Sequence, residues 1–364
     1  WVRCTFVGSA CSARRSNPYR CRQNSHARMT DTSTTAVIEL ITGINGSGKT
    51  LWGLQHVEAL RKVTGRTNVI AFTNGFHGCT RGALALTGNG HHRGGAGVEL
   101  TGVTRMPYDQ YFGEGVDTAA QIEKMISDAS GGVDAPAAII LETIQGEGGL
   151  NAGSAKWLQK IEKIARDNGA LLIVDDIQAG CGRSGSFFSF EEMGIKPDIV
   201  TMAKSLSGMG LPMALVLLKP ELDEWKPGEH NGTFRGNCHA FITARVAIEE
   251  FWANDDFEDE LKLKAKKIRT RLESFVKTFP NHINRVKGRG VMLGIEVANP
   301  EMTSEIVKAS FERGLIIETA GPDDEVVKLL TPLNIPDEDL EAGLNILGDA
   351  LQAVYTDASL QAAE

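Results

Sequence analysis

Two side chains stand out for what they can do as a pair. Asp175 ends the apolar run Leu171-Leu-Ile-Val-Asp175 and is followed by Asp176, Ile177 and Gln178. Lys204 comes twenty-nine residues later, just past the apolar run Ile199 to Met202. Taken singly, a lysine after a strand reads as a solvated charge, and a carboxylate after a strand reads as a helix cap. Together they suggest a chemistry. A lysine amine forms a Schiff base with an aldehyde cofactor. A carboxylate beside a pyridinium nitrogen keeps that ring protonated, so that it accepts carbanion electrons. The pairing is that of pyridoxal 5'-phosphate (PLP).

Such residues need a scaffold that brings them to one edge. Val37 to Thr42, Asn68 to Phe72, Ala137 to Leu141, Leu171 to Val174, Ile199 to Met202 and Met213 to Leu218 are short runs rich in Ile, Val, Leu and Ala. Runs apolar on both faces read as buried parallel strands. Helical periodicity falls between them. Thr50 to Val63 is one such stretch. In another, Ser154 to Gly169, the residues Trp157, Leu158, Ile161, Ile164 and Ala165 form one face, Ser154 suits the N-cap, and Asn168-Gly169 suits the end. Alternating strands and helices predict a parallel sheet covered on both sides, with ligands at the C-terminal ends of its strands. From about residue 255 the pattern changes. A long amphipathic stretch runs from Phe257 to Val276. Strand-like segments follow at Gly290 to Val297 and Val326 to Leu330, and Leu340, Leu344, Leu347, Leu351 and Val354 mark a last helix. This predicts a PLP-binding large domain over 63–254 and a small α+β domain over 255–364.

Composition sets the outer bounds. Hydrophobic residues make up 42% and charged residues 23% of 364, ordinary for a globular chain, and no apolar run reaches the ~18 residues of a membrane span. The net charge of −8 gives no argument for nucleic acid. Residues 1–28 differ from the rest. They hold six arginines, no acid and three of the six cysteines, so they carry +6 and the remainder −14. They read as a basic, disordered leader: either a transit peptide or translated upstream sequence, the first methionine being Met29. Cys79, Cys181 and Cys238 show neither metal spacing nor a disulfide framework, so a reducing cytoplasm is expected.

From Val63 to about residue 355 the chain resembles the class III, fold type I, PLP-dependent aminotransferases. Within them it is most similar to the diaminobutyrate–2-oxoglutarate transaminases of ectoine biosynthesis. The blocks that carry the resemblance are Asn74-Gly-Phe76-His77-Gly78, Glu142-Thr-Ile-Gln-Gly-Glu-Gly-Gly149, those around Asp175 and Lys204, and Gly228-Glu-His-Asn-Gly-Thr233-Phe-Arg-Gly-Asn237. The resemblance implies that Lys204 is the aldimine lysine and Asp175 the partner of the ring nitrogen. It places Gln178 by the ring hydroxyl, Phe76 against the ring with His77 beside it, and Glu142 in the pocket lining. It has Thr233 reach the phosphate of a neighbouring subunit's cofactor, which implies a homodimer. The implied reaction takes L-2,4-diaminobutyrate and 2-oxoglutarate to L-aspartate 4-semialdehyde and L-glutamate.

Upstream of Val63 the resemblance fails. The family has a longer N-terminal portion and a Gly-Thr-rich loop that cups the cofactor phosphate. Here stands Gly43-Ile-Asn-Gly46-Ser-Gly48-Lys49-Thr50, a complete G-x-x-x-x-G-K-[ST] motif between an expected strand and an expected helix. Three readings stay open. The turn, including Thr50, takes the place of the cup, since both are glycine turns at a helix start. Or it binds a nucleotide, with Asp175 and Asp176 as the Walker B acids of a P-loop NTPase. Or 29–62 is a foreign piece on an inactive, N-terminally incomplete aminotransferase-like body.

Overall fold

The computed structural model describes residues 37–41, 60, 62–229 and 236–361, with 37–41 and 357–361 as backbone only. The strands, in chain order, are β1 (Val37–Ile41), β2 (Asn68–Phe72), β3 (Val103–Met106), β4 (Pro136–Leu141), β5 (Ile144–Gln145), β6 (Asn151–Ala152), β7 (Leu171–Asp175), β8 (Ile199–Met202) and β9 (Ala214–Leu218). Beyond residue 255 come β10 (Ile283–Arg289), β11 (Met292–Val297), β12 (Glu318–Ala320) and β13 (Val326–Leu329).

Seven strands form one sheet in the order β1-β9-β8-β7-β4-β2-β3. The five from β8 to β3 are parallel. Alternation along these strands explains why they read as unbroken apolar runs. Ile70, Phe72, Ile139, Leu141, Leu172 and Val174 face one core with Trp157, Leu158, Ile161 and Ile164 of the helix Ala155–Asp167. Val69, Ala71, Ala138, Ile140 and Ile173 face the other with Leu60, Val216 and Leu218. The helix is capped as its sequence predicts, with Ser154 Oγ accepting from the Trp157 N–H.

Two expectations change. The 213–218 segment forms β9, which runs antiparallel to β8. The link over 203–213 holds only a 3-10 turn, and a parallel crossover needs about a dozen residues and usually a helix. A strand buried on both faces looks the same in either direction. β3 was not expected, because Val-Thr-Arg-Met is half-buried at the sheet edge and lacks the apolar signature. β1 pairs antiparallel with β9 and so runs parallel to β8. Its last described residue, Ile41, therefore lies at the sheet edge that carries Asp175 and Lys204.

The second sheet, β10-β11-β13-β12, is antiparallel throughout. The helices Asp256–Thr278 and Asp337–Gln361 bury Leu261, Ile268, Leu272, Leu340, Leu344 and Leu347 with Leu293 and Ile295 of β11. The junction with the large sheet is tight. Val291 N–H donates to Arg183 O at 3.0 Å, and Arg183 Nη1 donates to Thr331 O at 2.7 Å. Gly290 has φ +62°, and a Cβ there would lie 2.2 Å from the Ser184 carbonyl carbon, so this crossing accepts only glycine.

Candidate active site

Each chemical residue sits at or just past the C-terminal end of a parallel strand. Asp175 is the last residue of β7 and is buried. Its Oδ2 lies 2.8 Å from His77 Nδ1, and its Oδ1 accepts from Thr201 Oγ1 and the Ile177 N–H, each at 3.2 Å. His77 comes from the loop after β2 and is equally buried. Burial pulls its pKa down, but the hydrogen bond and charge of Asp175, with the charge of Glu142, outweigh that and raise it. The pair is thus buried together, and Asp175 favours the protonated form of the His77 ring.

Glu142 follows β4. Its Oε2 accepts from the Phe76 N–H at 2.9 Å and its Oε1 from the Gly146 N–H at 3.2 Å. Burial raises its carboxyl to about 7, with His77 pulling down and Asp175 pushing up. Phe76 is half-buried, with its ring edge-on to His92 at 5.5 Å. Gln178 Nε2 donates to Glu147 Oε1 at 2.9 Å, while its Oε1 is buried and accepts nothing. Gly146 lies against that amide so closely that a Cβ would come within 1.5 Å of Oε1. Lys204 opens the 3-10 turn Lys204–Ser207 two residues after β8, exposed, with φ +51°. A non-glycine residue held there is strained, a feature concentrated at functional sites. Thr50 and Thr233 lie outside the described residues.

Sequence reasoning missed two contributions from the second sheet. Lys328 on β13 is fully buried, with its Nζ 3.3 Å from Glu147 Oε1 and 3.2 Å from Glu318 Oε1. It joins the Gln178–Glu147 pair to the small domain. Its signal was a single charge inside the apolar run Val326-Val-Lys-Leu-Leu330. Arg289 on β10 donates to Ser189 O at 2.6 Å, and no stretch of sequence announced that contact across a hundred residues.

Asp176 is buried too. Its Oδ2 accepts from the Ser189 N–H at 3.1 Å, and its Oδ1 has no partner. Burial raises its carboxyl to about 7, against the opposing pull of Ser189. Because the folded value exceeds the ordinary one, the stability it contributes is full below about pH 4 and is lost as pH rises through about 7. Asp176→Asn removes that titration. Between about pH 5 and pH 8 the stability difference between variant and wild type is expected to move in the variant's favour by about 1–3 kcal/mol, read by urea unfolding of the apoprotein. A constant difference would contradict this account.

Comparison with known proteins decides the family. The aminotransferase class-III family matches residues 37–351. The chain belongs to it. A diaminobutyrate–2-oxoglutarate transaminase from Vibrio parahaemolyticus is 58% identical over 294 residues, which is 81% of this chain and 69% of that protein. One from Vibrio cholerae is 57% identical over 287 residues, again 69% of its length. The chain thus spans about two thirds of the length of the curated relatives it matches. Among solved structures, N-acetylornithine aminotransferase from Stenotrophomonas maltophilia superposes with a TM-score of 0.69 at 26% identity, over 88% of this chain and 76% of that one.

Class III aminotransferases use PLP, and the residues here fit it. The buried carboxyl of Asp175, paired with His77, suits a protonated ring nitrogen. The orphaned Oε1 of Gln178 is a buried acceptor that awaits a donor such as the ring hydroxyl. Lys204, two residues past β8, would supply the amine. The nucleotide-binding alternative draws nothing from these contacts, since the Asp176 oxygen that has a partner is spent on the Ser189 backbone. Among the described residues no helix is long and apolar enough to cross a membrane.

Proposed function

We propose that this aminotransferase converts L-2,4-diaminobutyrate and 2-oxoglutarate to L-aspartate 4-semialdehyde and L-glutamate, as in ectoine biosynthesis. The observation that carries the reading is the 58% identity, over 81% of this chain, to a transaminase of that name. PLP, when bound, supplies a ring that takes up the electron pair left as the donor carbon loses its proton. Lys204 Nζ holds that proton and returns it, as general base and then general acid. Asp175 orients the ring and keeps its nitrogen charged. Gln178 Oε1 would accept from the ring hydroxyl, and Phe76, with His77 next to it in the chain, would cover the ring.

Two further assignments belong to the same proposal. Thr50 and the glycine-rich stretch before it hold the cofactor phosphate, supported by β1, whose last residue, Ile41, lies at the catalytic edge. Thr233 serves the phosphate of a second copy in a homodimer. In support, Met209, Ile242 and Val246 are 73%, 56% and 51% exposed around the Lys204 turn, an apolar face of the kind that pairs with another subunit. The boundary between large and small domains falls near residue 255. Free Cys79, Cys181 and Cys238 suit a cytoplasmic setting.

The test is direct. The purified chain is incubated with PLP, reduced with borohydride and digested, and glutamate release is assayed with diaminobutyrate and 2-oxoglutarate. A pyridoxyl group on Lys204 and diaminobutyrate-dependent glutamate are expected. Absence of the adduct would leave an inactive aminotransferase-like body. An adduct without glutamate would overturn the substrate alone.

A further inference from the structure

We propose that Glu142 is a positioning residue whose carboxylate staples two loops of the cofactor site together, the loop 73–78 that carries Phe76 and His77 and the loop 146–149 that backs Gln178. The proposal rests on the PLP reading above for its consequence, though not for its geometry.

The staple is made of backbone contacts. One carboxylate oxygen takes the Phe76 N–H and the other the Gly146 N–H. An ionised carboxylate is acceptor-only, so it satisfies both. A protonated carboxyl has to present an O–H on one oxygen, and both nearest neighbours are already donors. An amide has the same defect, since its NH2 faces an N–H. The two loops touch elsewhere without slack. Gln145 Nε2 donates to Thr73 O at 2.7 Å, and a Cβ on Gly148 would lie 2.1 Å from Asn74 O. Loosening one bond therefore shifts both loops, and with them the Phe76 ring and the Gly146 backbone against Gln178 Oε1.

The charge state of the staple is set by its surroundings. His77 from the loop after β2 and Asp175 from β7 act on the carboxylate through charge. Tyr108, after β3, donates its Oη to the Glu142 carbonyl at 2.7 Å and stays a neutral phenol, its burial holding its pKa up. With the carboxyl raised to about 7, the staple is complete above neutrality and half-made below it. By linkage the raised value means that charging Glu142 costs global stability as pH rises through about 7, even as it completes the staple. The cost of charging it is borne so that both N–H groups can be held.

Two measurements test this on the full chain. In the wild-type apoprotein, amide exchange at Phe76 and Gly146, corrected for intrinsic rates, is expected to quicken about tenfold or more from about pH 8 to about pH 6, while amides within β4 and β7 hold. Unchanged protection at both sites would overturn the proposal without any mutation. Glu142→Gln is then expected to bind PLP about tenfold more weakly at about pH 8, with an affinity that no longer varies down to about pH 6, where the wild type weakens toward it. A variant that loses thermal stability yet keeps wild-type affinity and pH dependence makes Glu142 a structural residue only. If wild-type protein takes no PLP at Lys204, the functional reading fails, and the exchange measurement still decides the staple.

Discussion

Lys204→Ala is expected to lower glutamate release by at least about 10³-fold and to abolish the borohydride-fixed pyridoxyl group, while the fold survives. The fold should hold because Leu206 and Ser207, not Lys204, anchor the 3-10 turn in the interior. The Lys204 side chain is exposed at the sheet edge, so its removal opens no core cavity. The strained φ of +51° is a property of the backbone there and passes to alanine. Lys204→Arg separates charge from proton transfer. Its guanidinium keeps the positive charge but stays protonated at any working pH. It neither attacks an aldehyde nor serves as a base, so its loss should match that of alanine. Residual activity above about a tenth of wild type in either variant would remove Lys204 from the reaction. Far-UV circular dichroism and the melting temperature check that the comparison is between folded proteins.

How far the sequence reached depended on what kind of signal each feature leaves. β2, β4, β7 and β8 were legible because both faces of each are buried, so that Ile139 and Ile140 or Leu172 and Ile173 are apolar in succession. The same property hid direction, and β9 looked parallel until the short link from β8 was seen. The helix Cys238–Phe251 left no reading, since Ala240 and Ala244 are its only fully buried side chains among half-exposed neighbours. In the site, Asp175 and Lys204 stood out because type and position after a strand agree with one chemistry, while Gln178 was marked only by the family resemblance. The role of Glu142 was not visible. A carboxylate that binds solvent and one that binds two backbone N–H groups have the same letter, and the difference lies in where 73–78 and 146–149 meet. Lys328 and Arg289 act across the junction, where contacts depend on how two sheets pack rather than on any local pattern.

Asp175→Asn should cost about 10²–10³ in turnover, with PLP still bound, because the amide keeps the size of the carboxylate but not its charge. The structure adds a second consequence that a simple loss of charge does not. In the wild type Asp175 Oδ2 lies 2.8 Å from His77 Nδ1 and raises the pKa of that ring. Asparagine can keep its oxygen toward His77 and turn its NH2 to Thr201 Oγ1 and the Ile177 N–H, or the reverse. In the first arrangement a donor meets the Ile177 N–H, and in the second it meets the His77 ring. Either way the interaction with residue 175 that raises the His77 pKa is lost, and desolvation, already the largest influence on the ring, then favours its neutral form. The sign of the stability effect follows from linkage. A histidine whose folded pKa is raised contributes stability that is full below its ordinary value of 6.5 and is lost as pH rises through the folded value. The variant should therefore fall furthest behind the wild type below the ordinary value of 6.5 and recover toward it as pH rises through the raised folded value. Thermal unfolding of the two apoproteins across that range reads this directly. A deficit independent of pH would mean that Asp175 holds His77 by shape alone, and that its charge is directed wholly to the cofactor.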